Sequence, residues 1–125
     1  MIAGTYNMTC EQGTTFTRII KLKEPDPTDP TGSTYNAVDL TSHTARMQVR
    51  RTVESTSTQV ELTTENGGIA VQPTEEVGLI QISMSDTQTA ALTSDGVYDL
   101  ELITPGGVVS RVIQGTFTLS LEVTR

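Results

Sequence analysis

Few side chains in this sequence have the means to do chemistry, and they are scattered. His43 is the single histidine and Cys10 the single cysteine. A metal or acid–base site on His43 needs carboxylates brought in by folding, and its neighbours Thr41, Ser42 and Thr44 supply none, so a solvated loop histidine is expected. Asp26 and Asp29 offer oxygens to calcium, but without the glycine and closing glutamate of an EF-hand loop. Glu75-Glu76 and the alternating pair Asp99/Glu101 are the nearest approach to two-carboxylate catalysis. That chemistry needs one carboxyl in an apolar pocket with a shifted pKa, and both pairs fall where a solvated sheet face is expected. The expectation is a non-enzyme with no metal and no cofactor. Cys10 reads as a small buried hydrophobe, and the glycosylation triplet Asn7-Met8-Thr9 as coincidence in a threonine-rich chain.

Binding chemistry is better represented. The formal charge is −7, from 8 basic and 15 acidic residues, which disfavours a protein that tracks nucleic-acid phosphates. Arg46, Arg50 and Arg51 are close enough to form a local positive stripe on an acidic molecule. Arginine pairs well with carboxylates at desolvated interfaces, so Arg46, Gln48, Arg50, Arg51 and Arg125 are candidate contacts to a protein partner. Tyr35 joins them: Tyr6, Phe16, Tyr98 and Phe117 fall on core phases, which leaves Tyr35 as the one loop aromatic and a thin platform for a sugar. No stretch approaches the roughly 18 apolar residues of a membrane helix. Met1 to Gly4 lack the basic-then-apolar layout of a secretory leader, so no membrane partner and no leader-directed export are expected.

The elements that must position these residues are strands. Threonine accounts for 23 of 125 residues, often alternating with apolar side chains, as in Thr116-Phe117-Thr118-Leu119. β-branched hydroxyls on one face and a core on the other suit a pleated surface. Period-two alternation predicts a first strand with Tyr6, Met8 and Cys10 in phase, and a second from Thr15 to Lys23 with Phe16, Ile20 and Leu22 inward and Ile19 also near burial. Pro25, Pro27, Pro30 and Gly32 make Glu24 to Ala37 a projecting loop that should hold no ladder. Ala45 to Arg50 alternates strictly and sets Arg46, Gln48 and Arg50 outward. Thr52 to Thr58 is a polar connection, Gln59 to Thr63 alternates again, and Asn66-Gly67-Gly68 signals a reversal. Ile69 to Val71 and Gly78 to Met84 follow as strands. Ser85-Asp86-Thr87-Gln88 fits a capping box for one or two helical turns. Tyr98, Leu100 and Leu102 share a strand face, Pro105-Gly106-Gly107 is a turn, and Gly115 marks a bulge or change of partner in a long last strand.

About eight short strands with one short helical crossover predict an all-β, immunoglobulin-like antiparallel β-sandwich occupying residues 1–125 as a single domain. A partly closed barrel fits the same spacing. Asp95-Gly96-Val97-Tyr98 resembles a tyrosine corner, in which the hydroxyl ties its strand back to the preceding crossover. Its spacing is one residue short of the usual Asp-x-Gly-x-Tyr, so the acid is not assigned its usual part. One cysteine makes no internal disulfide, which suits folding in a reducing cytoplasm.

Several runs carry a family resemblance. They are Ala3-Gly4-Thr5-Tyr6-Asn7, Glu11-Gln12-Gly13-Thr14-Thr15-Phe16, Asp39-Leu40-Thr41 with Thr44 to Arg50, Glu61 to Ile69, Val97 to Leu102, and Glu122-Val123-Thr124-Arg125. Together they resemble small virion proteins of tailed bacteriophages, cyanophages among them, found among tail and baseplate genes. The Asp-Leu-Thr…Arg-Met-Gln-Val-Arg portion is similar to the N-terminal sandwich of baseplate proteins that attach receptor-binding parts. These are packing and turn motifs, and the stretch from Pro25 to Ala37 is longer and richer in proline than the group's pattern. The resemblance implies a non-enzymatic structural subunit of the virion, assembled in the host cytoplasm in several symmetric copies, with other virion proteins as partners. Tail or baseplate is the expected position. A capsid decoration (cement) protein and a glycan- or receptor-binding module of a tail fibre are the alternatives.

Overall fold

The structure, a computed structural model, describes residues 3–124. Arg125 therefore lies outside the described residues. The chain folds as an all-β sandwich. Its larger sheet contains β1 (Gly4–Thr5), β2 (Met8–Glu11), β6 (Thr44–Arg50), β7 (Val60–Thr63), β10 (Gly96–Ile103) and β11 (Val109–Ser120). The smaller contains β3 (Phe16–Lys21), β8 (Ile69–Val71) and β9 (Leu79–Met84). In the larger sheet the order is β1-β11-β10-β6-β7, with β2 also on β11; in the smaller it is β3-β9-β8. All pairings are antiparallel except β1 and β2, which lie parallel to β11. These two segments form one edge ribbon interrupted at Tyr6-Asn7, so the sandwich has the eight principal strands expected, and α1 (Asp86–Ala90) is the single short crossover.

The alternation sets the layers. In β6 the inward residues Ala45, Met47 and Val49 are buried, while β10 contributes Tyr98, Leu100 and Leu102 and β9 contributes Ile80, Ile82 and Met84. Phe16 of the smaller sheet and Phe117 of the larger meet across the core, with ring centroids 5.8 Å apart and planes inclined at 54°. The capping box at α1 forms as its sequence predicts: Ser85 Oγ accepts from the Gln88 amide, and Gln88 Oε1 accepts from the Ser85 amide. Buried Thr89 then donates its hydroxyl to the Thr14 carbonyl at 2.7 Å, tying the crossover to the start of β3.

Five expectations need correction. Tyr6 and Ile19 are exposed, 37% and 62% respectively, because Tyr6 sits where the edge ribbon breaks and Ile19 faces out from β3 while Ile20 faces in. The proline-rich stretch does hold a ladder: β4 (Lys23–Pro25) pairs with β5 (Tyr35–Ala37), and only the tip between them is irregular. Proline is tolerated there because Pro25 stands at the strand end. The bulge in β11 lies at Val112, since Leu100 pairs with Ile113 and Glu101 with Arg111; this is why Val112 and Ile113 are both buried. Gly115 marks the change of partner from β1 to β2, and a side chain there would strike the Tyr6 carbonyl. That carbonyl accepts from the Tyr98 hydroxyl, so the tyrosine ties its strand to the edge ribbon rather than to the crossover. Asp95 accepts from the Leu119 amide at 2.7 Å instead of bracing the tyrosine.

Candidate functional site

β6 lies between β10 and β7, and its outward residues meet side chains fixed by register. Arg46 stands opposite Glu101 and Thr63, Gln48 opposite Asp99 and Glu61, and Arg50 opposite Val97. On the far side of β10, Glu101 stands opposite Arg111 and Asp99 opposite Gln114. Cross-strand neighbours of opposite charge are about 5 Å apart at Cβ, close enough to pair. Arg46 Nε donates to Glu101 Oε1 at 2.7 Å, and Arg111 Nε lies 3.3 Å from Asp99 Oδ2. Gln48 donates to Glu61 and accepts from Arg50 Nη2 at 2.9 Å, while Arg50 Nη1 donates to the Ser55 carbonyl at 2.8 Å. Arg111 also reaches Gln114 at 3.2 Å.

The sheet curves around this network into an open concavity of about 870 Å³, whose floor also includes Val53, Val97, Thr116 and Gly115. Arg46, Arg50 and Arg111 face Glu61, Asp99 and Glu101 within it. The face is therefore charge-balanced, and the other five basic and twelve acidic residues of the sequence account for the whole net charge. A positive stripe does not form, for two reasons. Glu101 sits opposite Arg46 by register while Asp99 and Glu61 flank Gln48 between the two arginines, and Arg51 follows Arg50 on the other side of the chain, where it donates to Thr93 Oγ1 at 3.2 Å. Chemically the face can exchange bidentate and amide hydrogen bonds with a polar partner. Its side chains are already held in position, so little rotamer entropy remains to be lost on docking.

The other expected residues lie apart from it. Tyr35 is 56% exposed on β5, opposite Pro25, and does not line the concavity. Asp26 accepts from the amide and hydroxyl of Thr28, and Asp29 accepts from both groups of Thr31, from the Ser33 hydroxyl and from the Thr34 amide. Hydrogen bonds from Thr28 hold the Asp26 carboxyl below the usual aspartate range, and those from Thr34 and Thr31 do the same at Asp29. Both carboxylates are thus spent on their own loop, an Asx-turn use. His43 stands in a turn with Nδ1 3.0 Å from the Thr41 carbonyl oxygen. Cys10 is buried and burial pushes its thiol pKa up. Among the described residues no group of three His, Cys, Asp or Glu side chains could hold a metal ion.

Arg111, Glu61 and Gln114 belong to the face and were not singled out in the sequence. The bulge at Val112 is the reason for Arg111 and Gln114, because it shifts the alternation of β11 and hides which of its residues face outward. Glu61 could have been found from its phase with Leu62, which is buried one position along. No protein-family model matches the chain, and no curated protein is similar enough in sequence to be counted a relative.

Proposed function

We propose that this chain is a non-enzymatic structural module of a tailed-phage virion, of the tail or baseplate, that docks other virion proteins through the outer face of β11-β10-β6-β7. The phage reading rests on the family resemblance of its packing and turn motifs. The docking reading rests on one observation, the charge-balanced and internally bonded concave face in an otherwise acidic molecule. Copies with a net charge of −7 repel each other on average, and a charge-balanced face lowers that repulsion where it docks, so it favours one docking orientation. Arg46, Gln48 and Arg50 are its centre, and in a symmetric particle the same contact recurs in every copy. An unpaired, buried Cys10 is consistent with assembly in a reducing host cytoplasm.

Mass spectrometry of purified virions tests the proposal: the protein should be present in a fixed ratio to tail proteins, and its absence from particles overturns the reading. Density for the chain on the head would select the capsid-decoration alternative. In particles that contain the protein, replacing Arg46 and Arg111 with glutamate should abolish its incorporation while leaving its fold intact by circular dichroism.

A further inference from the structure

A sandwich of two open sheets exposes four strand edges, and each unpaired edge is a template for another strand. Three are closed. At β7 the Asn66 side chain takes two of the outward main-chain groups: Nδ2 donates to Glu61 O at 3.0 Å and Oδ1 accepts from Thr63 N at 2.9 Å. At β2, Arg18 Nη2 donates to the Thr9 carbonyl at 2.7 Å. β8 is only three residues long.

β3 is the exception. The Leu22 amide donates to Gly78, which by antiparallel alternation turns residues 16, 18 and 20 toward β9 and residues 17, 19 and 21 away from it. Arg18 Nη1 caps the Thr17 carbonyl at 2.9 Å. Among the described residues nothing bonds the outward N–H and C=O groups of Ile19 and Lys21, and Ile19 is 62% exposed. Proline and bulge are both absent from this strand.

We infer that the β3 edge from Ile19 to Lys21 receives an extended, acidic segment of a partner protein as an added strand. The charge selects that occupant. Thr14 to Lys23 holds three of the chain's eight basic residues, Arg18, Lys21 and Lys23, and no acid. The neighbouring counter-charge is Glu76, paired with Lys21 at 2.8 Å with both side chains exposed. Such an exposed pair is readily exchanged for a partner's carboxylate. Lys23 makes no ion pair among the described residues. A second copy of this strand is disfavoured because it would bring two such cationic stretches to one seam. Main-chain bonds supply affinity in this mode, and Ile19 offers an apolar contact on the outer face.

Two peptides of about eight residues test this, one alternating valine with glutamate and one alternating valine with lysine. Added to the isotope-labelled chain, the acidic peptide should shift the Ile19 and Lys21 amide signals and slow their hydrogen exchange. The basic peptide should not. Ile19→Pro removes an N–H that β9 does not use, so it should keep the fold and lose binding, whereas Ile20→Pro should lose the fold. Should Ile19→Pro fail to fold, the pair Lys21→Glu and Lys23→Glu should still weaken binding about tenfold or more. The inference is overturned if the acidic peptide leaves these amides unprotected, if the basic peptide binds as well, or if self-association of the free chain already protects them.

Discussion

β7 and β3 are both edge strands of one sandwich, drawn from the same alternating sequence pattern, and they end differently. At β7 a loop side chain, Asn66, occupies the edge as a peptide group would, while at β3 the backbone of Ile19 and Lys21 is left to solvent. In the proposed reading the larger sheet offers partners a face, and the smaller offers them an edge. A face is read by side chains and is tuned by charge, whereas an edge is read by the main chain and is tuned by what blocks it. Threonine-rich alternation builds both, and single residues decide which surface remains available.

The strongest way to break the comparison is to uncouple the two sheets. Phe117 of β11 is 1% exposed and packs on Phe16 of β3. Phe117→Ala should cost about 3–5 kcal/mol in urea denaturation, as large-to-small core changes do. A cost below about 1 kcal/mol would mean that this aromatic pair is not what joins the layers. Tyr98→Phe comes next. Its hydroxyl holds the Tyr6 carbonyl, and removing one partner from a partly buried bond costs about 1–3 kcal/mol. The loss should be local, read as faster hydrogen exchange at Tyr6, whose amide donates to the Gln114 carbonyl, and at Met8, with that of Leu100 unchanged. Equal acceleration at all three would show that the tyrosine stabilises the whole sandwich and not the edge ribbon.

Asn66→Ala sharpens the contrast directly. It removes the contacts to Glu61, Thr63 and Gly68 in an exposed turn, so its stability cost should be near 1 kcal/mol. Its effect on association should be larger, because β7 then becomes an open edge as β3 is. Sedimentation should show more concentration-dependent self-association than the wild-type chain shows under the same conditions. A variant that stays monomeric would show that an open edge in this protein is not by itself adhesive, which would weaken the argument made for β3.

Much of this arrangement is legible in the sequence where the information is local. Ala45 to Arg50 declares its two faces, Ser85 and Gln88 declare a helix start, and Asn66-Gly67 declares a reversal, with Gly67 at φ 83° where glycine carries no penalty. What stayed hidden depends on distant partners. Nothing near Tyr98 says that its hydroxyl meets residue 6, and nothing near Arg111 says that Val112 slips the register. Ile19 and Ile20 are alike in composition, and only pairing with β9 decides which is buried. The row of Arg46, Gln48 and Arg50 was visible, but Glu61, which bonds Gln48, and Glu101, which pairs with Arg46, lie 13 and 55 residues away along the chain.

The smallest effect concerns the hairpin of β4 and β5, which follows the open edge along the chain. Its tip is ordered by Asp26 and Asp29, whose folded pKa values lie below those of the unfolded chain. The unfolded chain therefore binds more protons in acid, so the stabilisation is fully present above the ordinary aspartate range and is lost as pH falls through the folded values. Carbon-13 titration of the Asp29 carboxyl should place its midpoint below that of a free aspartate, and the Thr31 and Thr34 amides that donate to it should shift over the same interval. Leu100, deep in the core, should not respond. Asp29→Asn should remove the transition from those two amides and leave the β3 edge unaltered. A midpoint at the ordinary aspartate value would mean that the threonine bonds do not persist in solution and that the hairpin tip is not ordered by them.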